Sequence, residues 1–428
     1  MNRSWSARTP LLSFTFTATW TYIGPLLCRL GITLMAIAWA TVSMAQSSKI
    51  APPSCVMAAH MLAHVSTRIT GSACGKWGVV KSPDGPSKNN QLYGVSASAA
   101  NNVWAVGSYA SVNGPFKTLT ERWNGSAWSF VASANLGAED ALGGVAAISP
   151  TDVWAVGDFM PQLTSPQTAF IEHWNGHKWS VVPSPSPGQL SGLSSVRAVS
   201  ANDVWAVGLY YNNAGNSQTL IEHWNGQKWR IVPSPSPGLT DNGLGGLTIV
   251  SAQDIWAAGA QSSDQQNTLQ TLIERWDGKT WSVVPSPSPA PLYNSLGGMT
   301  AISANDVWAV GVVEGSNFVQ STLAEHWDGN SWKVEPTPDV GSLGNLLSDV
   351  SAIGTAVWAV GYYYSTPELT RTLIERWDGK RWSVVRSRNP SKEFNQLGSI
   401  TNISNALWSV GYFGNSNVAH TLVESMCH

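Results

Sequence analysis

One pentapeptide, Val-Trp-Ala-Val-Gly or a near copy, occurs seven times in this chain. Its tryptophans are Trp104, Trp154, Trp205, Trp256, Trp308, Trp358 and Trp408, at steps of 50, 51, 51, 52, 50 and 50 residues. A unit of that size cannot bury its own apolar face, so neighbouring units must stack to form a core. A second string, Glu-[His/Arg]-Trp-[Asn/Asp]-Gly-x-x-Trp, begins at Glu121, Glu172, Glu222, Glu274, Glu325 and Glu375. The 352 residues from Trp77 to His428 therefore hold seven units.

Each unit reads as four short strands. The first is rich in small residues, as in Leu296 to Ser303, and is followed by a turn such as Ala201-Asn202-Asp203. Asn and Asp suit such turns because their side chains bond the local backbone. The second strand is the pentapeptide. The third is Thr-Leu-Ile-Glu-His-Trp, as in Thr219 to Trp224, and Asn-Gly or Asp-Gly then turns the hairpin. The fourth is Trp-Ser-Val-Val, ended by a proline run. Proline has no N–H for a ladder, so this strand belongs on an outer edge. Four-stranded sheets at this interval predict an all-β fold, a seven-bladed β-propeller of antiparallel blades. Twenty of the 23 tryptophans lie on the repeat grid. Their recurrence in every unit assigns them to packing rather than to sugar stacking.

The last unit lacks a fourth strand. Gly75 to Pro83 carries that pattern, with Trp77 in phase with Trp128. The N-terminal strand is therefore expected to complete the C-terminal blade, leaving no open edge. Cys74 and Cys427 then meet at the nick, and a Cys74–Cys427 disulfide is expected; local pairing of Cys55 with Cys74 is the alternative.

Residues 1–45 read as an export signal. Arg3, Arg8 and Arg29 precede or flank an apolar stretch of 15 residues, Gly31 to Ala45, which ends in Ser43-Met44-Ala45. That stretch is shorter than the ~20 residues of a spanning helix. An uncleaved anchor is the alternative, and would be the sole membrane attachment. Residues 46–74 read as a tether, with a short helix from Val56 to Val65, and residues 75–428 as the propeller. A secreted or cell-envelope location follows.

The unit resembles a divergent kelch repeat. The carrying residues are Val307-Trp308-Ala309-Val310-Gly311, and Glu274-Arg275-Trp276-Asp277 with Trp281 in the preceding unit. It is also similar to tryptophan-rich propeller proteins exported by bacteria. Kelch-like propellers include galactose oxidase, but its copper chemistry is not carried over, because no cysteine lies inside the first six units.

Function should sit where the repeats differ. The Glu of each third strand is common to all seven units and reads as an anchor. His173, His223 and His326 follow it in three units, too far apart for one metal, so no metal and no cofactor is expected. The variable loops after the second strand and after the proline run leave the sheet on one side. The ligand-binding candidates there are Tyr109, Phe159, Tyr210, Tyr211, Asp264, Glu314, Tyr363, Tyr364 and Phe413. Arg197 and Asp349 break the small-residue rule of the first strand and are expected at the channel mouth. Aromatics beside amides and carboxylates suit a glycan or a protein. The formal charge of −2 gives no basic excess for nucleic acid. The resulting expectation is a monomeric, non-catalytic binding or scaffold protein. The alternative is a glycan hydrolase or lyase using Asp158, Asp264 or Glu314 as acid and base.

Overall fold

The computed structural model describes residues 75–111, 114–188, 190–263 and 268–427. The export-type leader, the tether with its expected helix, Cys28, Cys55, Cys74 and Asp264 lie outside them.

The described chain is built from antiparallel strands in a repeating order. The third unit is typical: strands Leu190–Ser200, Asp203–Tyr211, Ser217–Trp224 and Trp229–Ile231 form one four-stranded sheet. Five sheets have this form, and a sixth is eight-stranded. The eight-stranded sheet is joined through a single parallel bridge between Asn89 and Ala419. On one side of it lie Asn89–Ala99, Asn102–Ala110, Phe116–Trp123 and Trp128–Phe130. On the other lie Phe394–Ile403, Ala406–Asn415, Val418–Cys427 and Gly78–Val79. The sheets are thus repeated four-stranded blades, about seven in number. The first strand of each unit packs on the first strand of the next, and Phe394–Ile403 packs on Asn89–Ala99.

The pentapeptide tryptophan joins neighbouring blades. Trp205 lies 5.0 Å from Trp276 and 5.8 Å from Trp281, the hairpin pair of the following unit. Trp104 meets Trp174 and Trp179 in the same way, and Trp408 meets Trp123 and Trp128. Tilted and edge-on rings suit the aromatic quadrupole, each contact adding about 0.5–1.5 kcal/mol beyond area burial. The residue after the third-strand Glu lies against the same tryptophan from its own blade. His223 stacks on Trp205 at 4.2 Å, and Arg275 covers Trp256 at 4.6 Å. The Asp before the pentapeptide holds these groups: Asp203 takes His223 Nε2 at 2.8 Å, and Arg275 Nε donates to Asp254 at 2.8 Å. Each histidine is therefore used within its own blade.

The proline run docks through its hydroxyls, because its prolines offer no N–H. Thr219 Oγ1 bonds Ser234 Oγ at 2.7 Å, and Ser236 Oγ accepts Thr219 N–H at 3.0 Å. Ser184, from the run of unit two, donates to Glu222 of unit three at 2.9 Å. The N-terminal segment repeats this pattern on unit seven. Gly78 and Val79 pair with Ser425 and Glu424. Ser82 Oγ lies 2.5 Å from Thr421 Oγ1 and donates to Glu121 at 2.6 Å, and Asp84 accepts Thr421 N–H at 2.8 Å. Gly75 N–H donates to the Cys427 carbonyl at 2.8 Å. Cys427 is disulfide-bonded.

Candidate binding site at the channel mouth

First strands begin, and second strands end, at the same end of the blades: Asn89 pairs with Ala110 and Glu139 with Met160. The pentapeptide glycine holds the two strands close. A Cβ at Gly107 would stand 1.9 Å from the Gln91 carbonyl oxygen. Past that glycine the second strand does not stop; it runs to Tyr211 in unit three and to Thr366 in unit six. The residues beyond it therefore alternate in direction as strand residues do.

That alternation separates two sets. Ser108, Asp158, Tyr362 and Tyr412, one residue after the glycine, line a cavity of about 500 Å³. Tyr109, Phe159, Tyr210, Tyr363 and Phe413, two residues after it, pack onto the cores between blades. Phe159 meets Phe170 at 5.8 Å, Tyr109 meets Phe130 at 6.4 Å, and Phe413 meets His420 at 5.3 Å.

The other wall comes from the first strands. Each has a bulge after its core leucine, as between Leu92 and Gly94. The extra residue of a bulge has no ladder partner and is re-aimed. In unit one it is Tyr93; in the other units it is Gly143, Ser194, Gly245, Gly297, Ser348 and Gly398. Tyr93, Gly143, Ser348 and Gly398 line the cavity, with Gln91, Glu139, Asp140 and Gln396 beside them. The cavity thus spans units six, seven, one and two.

Its polar groups are organised. Tyr93 Oη donates to Gln91 Oε1 at 2.8 Å and lies 3.1 Å from Ser108 Oγ. Tyr412 Oη donates to Gln396 Oε1 at 2.6 Å. Burial raises both phenols above their ordinary range. Asp158 Oδ2 accepts Gln167 Nε2 at 2.8 Å. Burial, opposed by that bond and reinforced by Glu139 and Asp140, pushes the Asp158 carboxyl up to about 7. Asp140 is tied down by the Leu136 and Gly137 amides and by Lys117 Nζ at 3.0 Å.

Of the site candidates read from the sequence, Asp158, there an acid or base, lines this cavity; none of the other described candidates does. Tyr211 is half-buried near Asp241, which with burial raises its phenol. Tyr364 packs edge-on against Tyr362 at 5.8 Å. Burial raises the Glu314 carboxyl at the far end of its strand. Arg197 and Asp349 are 2% and 0% exposed, so neither is open at the mouth, and each charge acts on the other although they belong to units three and six. Asp349 accepts from Val350 N, Ser399 Oγ and Ile400 N at 2.8, 2.8 and 2.9 Å. Arg197 donates to its neighbour's carbonyl, on Val196. Sequence reasoning missed Tyr93, as it missed Gln91, Glu139, Asp140 and Gln396. For Tyr93, its size among glycines and serines at one repeat position was the available signal. Among the described residues, no three His, Cys, Asp or Glu stand together as a metal set.

No family model matches the chain, and no curated protein matches it. Solved propellers are similar. The WD40 β-propeller domain of Doa1 has a TM-score of 0.52 at 10% identity, covering 82% of this chain and 97% of that one. YCF48 bound to a D1 peptide has a TM-score of 0.50 at 14% identity, covering 84% and 99%. At such identities the likeness is one of fold.

Proposed function

We propose that this chain is an exported, non-catalytic binding propeller, and that it holds a segment of another protein at the mouth of its channel. We read the ring as seven-bladed and closed by the N-terminal outer strand; the pairing of Val79 with Glu424 supports this.

One observation carries the functional reading. The large apolar side chains exposed at the ends of the blades all belong to the loop end: Leu136, Leu163, Leu239, Phe318, Val340 and Leu343. The end that carries the Asn-Asp turns has none among the described residues. Exposed apolar groups at the same end as a polar cavity suit a protein surface, covered on docking. The YCF48 propeller holds a peptide, which agrees with this use of the fold. Selection from a displayed random peptide library, run beside a glycan array, tests the reading. Peptide capture that is lost on Tyr412→Ser supports it; capture of glycans alone overturns it.

A second reading, glycan hydrolysis, is favoured by Asp158, whose carboxyl is pushed up to about 7 beside Glu139 in the same cavity. Turnover of an array hit that disappears in Asp158→Asn would establish it.

A further inference from the structure

The charge in the cavity is one-sided. Among the described residues, Glu139, Asp140 and Asp158 line it, and no Lys or Arg does. Lys117 compensates Asp140. Among the described residues, neither Glu139 nor Asp158 has a cationic partner. Asp158 is 5% exposed, and among the described residues only its Oδ2 has a hydrogen-bond partner. A carboxylate so buried gains most from an opposite charge brought to it. Tyr93, Tyr362 and Tyr412 supply ring walls, and ring faces attract cations.

We propose that the cavity admits the cationic end of a lysine or arginine side chain from a docked protein, with Asp158 and Glu139 as its counter-charges. This rests on the channel mouth being the ligand site. The exposed apolar groups on the loops of unit two decide between a side chain and a free amine: only the former brings a backbone and neighbours to cover Leu136 and Leu163. The arriving charge also draws the proton from Asp158, so binding strengthens as pH rises through about 7. The groups around Asp158 are Glu139 and Asp140 on the neighbouring strand, Lys117 beyond them, and Tyr93 and Tyr412. Both phenols are raised and stay neutral in this range.

Calorimetric titration of the full chain tests this. The probes are acetyl-Gly-Arg-Gly-amide, its lysine and citrulline counterparts, and agmatine as a free cation. The arginine and lysine peptides should bind about tenfold tighter than the citrulline peptide and than agmatine. Asp158→Asn should abolish that preference, and Glu139→Gln should weaken it, with melting temperatures kept as controls of folding. Affinity for the arginine peptide should rise about threefold from about pH 6 to about pH 8. Equal binding of arginine and citrulline peptides, or a preference that survives Asp158→Asn, overturns the inference while leaving the peptide site intact. Agmatine binding as tightly as the peptide overturns the docked side chain. Failure of every peptide, library-derived ones included, removes the site itself.

Discussion

Trp77 meets Trp358 edge-on, with ring centroids 6.1 Å apart. The first described residues thus occupy, against unit six, the place that Trp382 of unit six holds against Trp308. Trp77 is 3% exposed and belongs to the core that also holds Leu407, Leu422 and Met426. Trp77→Ala should cost about 3–5 kcal/mol, as loss of a buried aromatic usually does. Denaturant unfolding measures this. A loss below about 1 kcal/mol would mean that the N-terminal strand adds little to the last blade.

Removal of residues up to Pro83 leaves the Val418–Cys427 strand as an unpaired edge. The shortened chain should self-associate, which light scattering detects; a stable monomer would contradict this account of the seam.

The third-strand glutamates form a buried set. Burial is the largest cause in every unit, pushing Glu121 and Glu222 up to about 7 and Glu172, Glu274, Glu325, Glu375 and Glu424 up to about 8. In the unfolded chain these groups ionise near 4.5. Between 4.5 and 8 the folded protein holds protons that the unfolded chain has released. Stability from this source is complete below 4.5 and falls as pH rises through about 8. The melting temperature should therefore be lower at about pH 8.5 than at about pH 5.5. Among the described residues neither Glu274 oxygen has a hydrogen-bond partner, so Glu274→Gln should add about 1–3 kcal/mol at the higher pH and flatten the profile. A melting temperature that rises with pH would refute this.

Asp203 Oδ1 serves two partners, Trp205 Nε1 and His223 Nε2, each at 2.8 Å. Asp203→Ala should cost about 1–3 kcal/mol by orphaning both, and added zinc should not restore it. Restoration by zinc would revive a metal role for His223.

Cys427 is disulfide-bonded, and we propose Cys74 as the partner, since Gly75 already donates to the Cys427 carbonyl. Non-reducing peptide mapping should recover a Cys74–Cys427 peptide. Reduction should cost about 2–5 kcal/mol. A Cys55–Cys427 or Cys55–Cys74 peptide would reassign the bond.

The scaffold was legible because repetition marks it. The tryptophans on the grid and the serines of the proline run recur and act alike from unit to unit; the third-strand Glu recurs too, bonded at Glu121, Glu172, Glu222 and Glu424 but, among the described residues, without a hydrogen-bond partner at Glu274, Glu325 and Glu375. The site was less legible for a geometric reason. The sequence reading assigns the residues past the pentapeptide glycine to loops, and leaves Tyr362 and Tyr412 open between the loop face and a strand that continues into packing. The strand in fact continues, so Tyr363 and Phe413 turn into the core while Tyr362 and Tyr412 reach the cavity. A shift of one residue reverses a strand's face. Arg197 and Asp349 stood out in their strand, but standing out did not distinguish a buried polar group from a mouth residue. Tyr93 was hidden because the bulge that presents it shows only in the register.

The most direct test compares two adjacent residues, Tyr412→Ser and Phe413→Ser, by capture of a displayed random peptide library. Tyr412→Ser should lose capture with a small change in melting temperature. Phe413→Ser should keep capture while melting several degrees lower, at a cost of about 2–4 kcal/mol. Capture lost in Phe413→Ser alone, with Tyr412→Ser still binding, would place the ligand elsewhere and contradict the account.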